Sequence, residues 1–193
     1  MSKVKVWSLL LVLVVTVGIT IGIFAEQTQN EPNIVIRQLK PQTVLYTIYR
    51  GNYDKMGQAI SNLYALAGKK GVYPRGSLSC AYLNNPEYVS AEHCLTEIRI
   101  PVAKEALKYA GTLGEMTDIK ELRAMEVAVI IKHGMQVDYA TLYKGLYDGI
   151  VKKGYRASDN AWESFLGKSI SGDYTQMKSE IMVPVERLTQ NKD

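Results

Sequence analysis

The hydrophobic positions of this chain change period in a fixed order, and the order occurs twice. "TVLYTIYR" (43–50) and "EVAVIIKH" (126–133) are β-branched and aromatic runs closed by Gly51 and Gly134, the pattern of a strand ending in a turn. The period then lengthens: Met56, Ile60, Leu63 and Ala67 fall on one helical stripe, as do Tyr139, Leu142, Tyr143, Leu146 and Ile150. Both stripes stop at Lys-Lys-Gly (69–71 and 152–154). Lysines suit the carbonyl end of a helix, and glycine suits a left-handed cap. Two more strands follow in each unit, "SLSCAYL" with "LTEIRIPV" and then "AWESFL" with "SEIMVPV".

Sliding the chain by 83 positions aligns 34–102 with 117–185 without a gap. Ile36 then meets Ile119, Leu39 meets Leu122, Val44 meets Val127, Leu63-Tyr64 meets Leu146-Tyr147, and Glu97-Ile98 meets Glu180-Ile181. A self-match at one fixed period is the mark of a tandem repeat. The expected body is therefore repeat one (34–102), a linker (103–116) and repeat two (117–185), with 187–193 as a tail. Each repeat reads as strand, helix, strand, strand. One helix covers one face of such a sheet, so the other face needs a second partner, which the other copy can supply.

These residues resemble a known family. "YTIYRGNYDKMGQAISNLYALAGKKG", "AYLNNPEYV" and "EIRIPV" are similar to the GyrI-like small-molecule-binding domain, which is also the effector-binding module of AraC-type and MerR-type regulators. The resemblance spans 33–186. It implies an α+β fold of two tandem SHS2 modules whose antiparallel sheets face each other around a cleft, and hydrophobic, often cationic, small-molecule ligands. Some related members are hydrolases. Repeat two departs from the pattern in "KHGMQVDY" and "SFLGKSISGDY".

The N-terminus differs in kind. Residues 6–25, "VWSLLLVLVVTVGITIGIFA", carry no charge and match the length of about 20 residues that spans a bilayer as a helix. The run exceeds the roughly 7–15 apolar residues of a cleaved signal, and Ile23 spoils a cut after Ala25. We read 1–25 as a signal anchor and 26–32 as a polar tether, with secretion after cleavage as the alternative. Lys3 and Lys5 precede the run while Glu26 and Glu31 follow it, so the positive-inside rule puts the folded part outside the cytoplasm.

Composition narrows the functional classes. With 47% hydrophobic and 22% charged residues, the body is globular. A net charge of +4 without a concentrated basic patch argues against nucleic acid. His93 and His133 stand alone, with no Cys or His at ligand spacing, so nothing calls for a metal or a cofactor. Cys80 and Cys94 flank an expected hairpin, where pairing depends on register.

Strand alternation supplies candidate site residues. If the isoleucines of "TEIRIPV" and "SEIMVPV" face the helix, Glu97 and Glu180 face the cleft. Glu97 has Arg99 two residues on, whereas Glu180 has only Met182. An acid in an apolar cleft calls for a cation, so Glu180 is the principal expected anchor and Glu97 the second. The chain holds 13 tyrosines against two phenylalanines, and tyrosine gives an apolar cleft both hydroxyls and π faces. Parity against the strand apolars places Tyr49, Tyr82 and Phe165 toward the cleft, and Trp162 is added from the strand end. The expectation is a membrane-tethered binder of a hydrophobic or cationic small molecule, with no catalytic residue assigned. Acid-base hydrolysis by the same glutamates, or a protein-interaction module with a self-filled cleft, are the alternatives.

Overall fold

The computed structural model describes residues 33–134, 137–167 and 178–188. The expected anchor (1–25), the tether (26–32) and the end of the tail lie outside them. Among the described residues no helix is long and apolar enough to cross a membrane.

Repeat one runs β1 (Val35–Leu39), β2 (Gln42–Arg50), α1 (Met56–Lys69), β3 (Ser79–Tyr82) and β4 (Leu95–Pro101). Repeat two runs β5 (Thr117–Leu122), β6 (Met125–His133), α2 (Tyr139–Lys152), a short β7 (Tyr155–Ala157), β8 (Trp162–Leu166) and β9 (Lys178–Arg187). The strand-helix-strand-strand order expected from the hydrophobic period is present in both, preceded in each by a further strand, β1 or β5, that the expected order did not separate, and with β7 added in repeat two. The Lys-Lys-Gly stops act as expected, with Gly71 at φ +64° and Gly154 at φ +77°, a region where glycine carries no Cβ penalty.

The sheets do not face each other. All strands join one antiparallel sheet in the order β1-β6-β9-β8-β3-β4-β2-β5, with β7 also on β9. The two copies meet edge to edge because β3 and β8 pair directly, Cys80 opposite Glu163. That pair is related by the 83-residue offset, so a pseudo-twofold axis passes through it. The axis exchanges β1 with β5, β6 with β2 and β9 with β4. Each repeat also lends its first strand to the other: β1 pairs with β6, and β5 pairs with β2.

This exchange forces the sheet to curl. β1 and β2 lie six strand spacings apart in the sheet order, roughly 29 Å if flat. Only Lys40 and Pro41 connect them, and three Cα steps reach at most about 11 Å. β5 and β6 impose the same limit through Arg123 and Ala124.

The helices pack on one face, over two separate clusters. α1 covers Leu45, Cys80, Ile98, Ile100 and Ile119; α2 covers Ala128, Ile130, Ile181 and Val183. The other face carries no helix, yet Ala81, Val127, Val129, Trp162 and Met182 are buried there. It is the inner face of the curl, filled by the sheet's own side chains. Both cysteines are buried free thiols. Cys80 pairs with Ile98, four residues beyond Cys94 and so roughly 13 Å along the strand, beyond the ~6 Å Cα separation of a disulfide.

Candidate functional site at the seam of the two repeats

The curl divides the expected site residues between two faces. Glu97, Glu180 and Trp162 lie inside it, on the parity of Arg99 and Met182. Tyr49, Tyr82 and Phe165 pack on the helix-bearing face around the α1 cluster. The repeated leucines do not mark that core: Leu83 belongs to the inner cluster.

Neither inner glutamate is short of a cation. Glu180 has more than Met182, because Arg37 on β1 donates Nη1 to Oε1 at 3.0 Å and Nη2 to Oε2 at 2.7 Å. The hydrogen bond to Glu180 raises the Arg37 pKa against the opposing effect of burial. Glu97 takes the Arg99 guanidinium, as expected, and also Lys120 Nζ at 2.7 Å. Arg99 lies 5.7 Å from the Trp162 ring and Lys120 lies 4.4 Å from the Tyr46 ring.

A different carboxylate occupies the centre of the molecule. Glu163, on the pseudo-twofold axis, points to the helix-bearing face, where it is 2% exposed. Lys132 on β6, 4% exposed, brings its ammonium to Glu163 Oε1 at 2.6 Å. Ser179 Oγ donates to the same oxygen at 2.5 Å, and Tyr82 OH donates to Oε2 at 3.3 Å. Lys132 Nζ also donates to Tyr139 OH at 2.8 Å, and it lies 5.1 Å from that ring.

The N-terminal ends of both helices bring tyrosines to this seam. Tyr139, Tyr143 and Tyr147 climb α2 at four-residue intervals with ring centroids 6.4 Å apart at each step. Tyr53, just ahead of α1, meets Tyr82 edge-on at 5.5 Å. Tyr139 and Tyr147 remain 42% and 40% exposed, and Tyr64, the repeat counterpart of Tyr147, 39%. The seam therefore has a buried charged floor under half-exposed rings.

Burial sets the protonation of these groups. It pushes the Tyr82 and Tyr143 phenols well above the ordinary tyrosine value, with Glu163 adding repulsion of a phenolate. Burial and a hydrogen bond to Cys94 push Tyr53 up to about 12. Burial, then Glu163, holds the Cys80 thiol at about 12. Burial works against the Lys132 ammonium, but its bonds to Glu163 and Tyr139 outweigh that and raise its pKa. At neutral pH the seam thus holds neutral phenols and a neutral thiol around a paired ammonium.

The repeat shows which parts of this constellation the fold itself requires. Under the 83-residue offset Glu163 corresponds to Cys80, Lys132 to Tyr49, Ser179 to Thr96 and Phe165 to Tyr82. Thr96 is buried with its Oγ1 lacking a partner, at the place where Ser179 meets the carboxylate. The signal for Glu163 was present in the sequence: a charged residue two before Phe165, hence on its face, and opposite a cysteine in the repeat. Among the described residues no group of three His, Cys, Asp or Glu is placed to hold a metal.

Comparison with known proteins bears on family and fold. The family model described as a GyrI-like small molecule binding domain matches residues 32–186. None of the curated proteins compared with the chain matches it. The crystal structure of the EcmrR C-terminal domain superposes with a TM-score of 0.68 at 14% identity, covering 81% of this chain and 99% of that one. The cryo-EM structure of an EcmrR–DNA complex gives 0.70 at 12% identity, over 96% and 70%. A hydrolase from Listeria innocua gives 0.62 at 14%, over 83% and 96%. At such identities the likeness establishes the fold.

Proposed function

We propose, because the chain belongs to the GyrI-like small-molecule-binding family, that the seam between its two helices is the small-molecule site, with Glu163 and Lys132 as its polar floor and the tyrosines as its walls. One observation carries this reading. A buried ion pair stabilises a fold no better than apolar residues of similar volume, and often less well. Cys80, at the corresponding position across the axis, fills that place with a small apolar group. The charged pair is thus better accounted for by recognition than by packing. A few converging polar groups under aromatic walls are the usual make-up of a ligand site. The half-exposed rings of Tyr139 and Tyr147 offer stacking surface to a hydrophobic aromatic molecule.

A thermal-shift screen of aromatic compounds against the purified protein tests this. A hit should raise Tm in the wild type and lose most of its effect in Tyr143→Ala. If no compound raises Tm, the seam is better read as a protein-interaction surface. A hydrolytic reading of the same seam would draw on Ser179, whose hydroxyl already bonds Glu163. Glu163 Oε1 also holds Lys132, which weakens that carboxylate as a base.

We also propose that residues 6–25 tether this domain to the membrane with the fold outside the cytoplasm, supported by the uncharged run and by Lys3 and Lys5 before it. Protease protection in intact and opened spheroplasts tests the orientation. Digestion in intact spheroplasts is expected, and protection there that is lost on opening would refute it.

A further inference from the structure

We infer that Lys132 sets the charge of the ligand: the seam disfavours permanent cations and takes uncharged aromatic molecules that carry a hydrogen-bond acceptor. This rests on the reading of the seam as a ligand site. The seat beside Glu163 is already filled. Oε1 receives Lys132 and Ser179, and Oε2 receives Tyr82. A ligand cation can reach Oε1 only by displacing a tethered ammonium, and Oε2 only by displacing the Tyr82 hydroxyl. A quaternary cation has no N–H, so it cannot replace the charge-assisted hydrogen bonds lost. The displaced ammonium would also lose its hydrogen bond to the Tyr139 hydroxyl. Left inside without its partner, it would be a buried unpaired charge, the costliest outcome in a protein interior.

A neutral acceptor must likewise part the rings to reach an ammonium that is 4% exposed, but it leaves the bonds to Glu163 and Tyr139 in place. An ammonium has three donors, and among the described residues Glu163 and Tyr139 account for two. The third can point at a ligand oxygen while the ring system stacks on Tyr139 and Tyr143. The selection is specific to this half of the duplication, because the counterpart of Lys132 is Tyr49, whose hydroxyl is spent on the Asn52 carbonyl at 2.9 Å.

Two nearly isosteric probes separate the cases: triphenylphosphine oxide, neutral with a strong acceptor, and methyltriphenylphosphonium, a permanent cation. Calorimetry on the full chain should show the oxide binding wild type at least tenfold tighter than the cation. Lys132→Met should reverse the order by uncovering Glu163. Because that variant strands a buried carboxylate, Lys132→Gln is measured beside it; the amide still donates to Glu163 without the charge, and the same reversal is expected. Tyr143→Ala should weaken both probes. If both bind in a Tyr143-dependent way and the preference is unchanged in the two Lys132 variants, the role of Lys132 is refuted while the seam remains a site. If neither probe binds any form, or binding ignores Tyr143, both the seam reading and this inference fall.

Discussion

Arg37 and Lys120 stand 83 residues apart, each on the first strand of its repeat, and each holds the glutamate of the other repeat. Arg37 from repeat one grips Glu180 of repeat two, and Lys120 from repeat two grips Glu97 of repeat one. The duplicated acid ahead of each Pro-Val strand thus anchors the exchanged strand, inside the curl where the two copies interlock.

Breaking one such clamp should loosen the edge strand rather than unfold the protein. Arg37→Met is expected to lower stability in urea by roughly 1 kcal/mol, a figure discounted for the partial exposure of the arginine. Glu180→Gln should cost a similar amount, and the double variant less than the sum of the two. Faster amide exchange in β1 than in β9 would show where the effect falls.

The Lys132–Glu163 pair should behave differently because both groups are buried. Removing one partner leaves an uncompensated charge, so Lys132→Met should cost about 3–5 kcal/mol in chemical denaturation, whereas Lys132→Met with Glu163→Leu should recover most of that loss. Equal losses in the single and double variants would mean that the pair contributes net stability.

Stability should decline on the alkaline side. The folded pKa values of Cys80, Tyr53, Tyr82 and Tyr143 are raised, so the unfolded chain releases these protons first. Their contribution is full below the unfolded values and is lost as pH rises from about 9 for the thiol and about 10 for the phenols. Lys132, also raised, acts in the same sense above its unfolded value. Urea midpoints should therefore be flat from neutrality to about pH 9 and then fall. In the native state Cys80 should resist thiol reagents at pH 8 and react only on unfolding.

A tight contact fixes α2 against the start of repeat one. A Cβ at Gly149 would collide with Ile34 Cδ1, and Ile34 is buried. Gly149→Ala should destabilise by about 1 kcal/mol, the overpacking cost of ~1–3 kcal/mol being partly offset by the ~1 kcal/mol helix preference of alanine. Ile34→Val removes the clashing methyl, so the double variant should be more stable than the sum of the singles predicts.

The elements were legible in the sequence because local patterns carry them. Helix stripes, Lys-Lys-Gly caps and paired strands all appear where the hydrophobic period puts them. The clamp was half legible: the 83-residue offset matches a basic residue at 37 with another at 120, but nothing local says that they reach across repeats. Parity placed Glu97 and Glu180 together on the face away from the isoleucines, as found. It misplaces Tyr49, Tyr82 and Phe165, because it assigns their apolar neighbours Val44, Ile48, Leu83 and Leu166 to the helix side, whereas the three rings pack there themselves. Both faces of this sheet are apolar in part, so hydrophobicity alone does not tell which one a helix covers.

By itself the sequence determined a duplicated unit, its order of elements and the family to which it belongs, since repeat period and residue pattern are written along the chain. Only the tertiary structure decided that the two copies share one curled sheet, that their first strands are exchanged, and that the duplicated glutamates are already paired. It also brought Lys132, Glu163, Ser179 and Tyr82, spread over nearly a hundred residues, to one point on the pseudo-twofold axis. Strand pairing is a choice among distant partners, made by the energy of the whole sheet, and no local stretch of sequence records it.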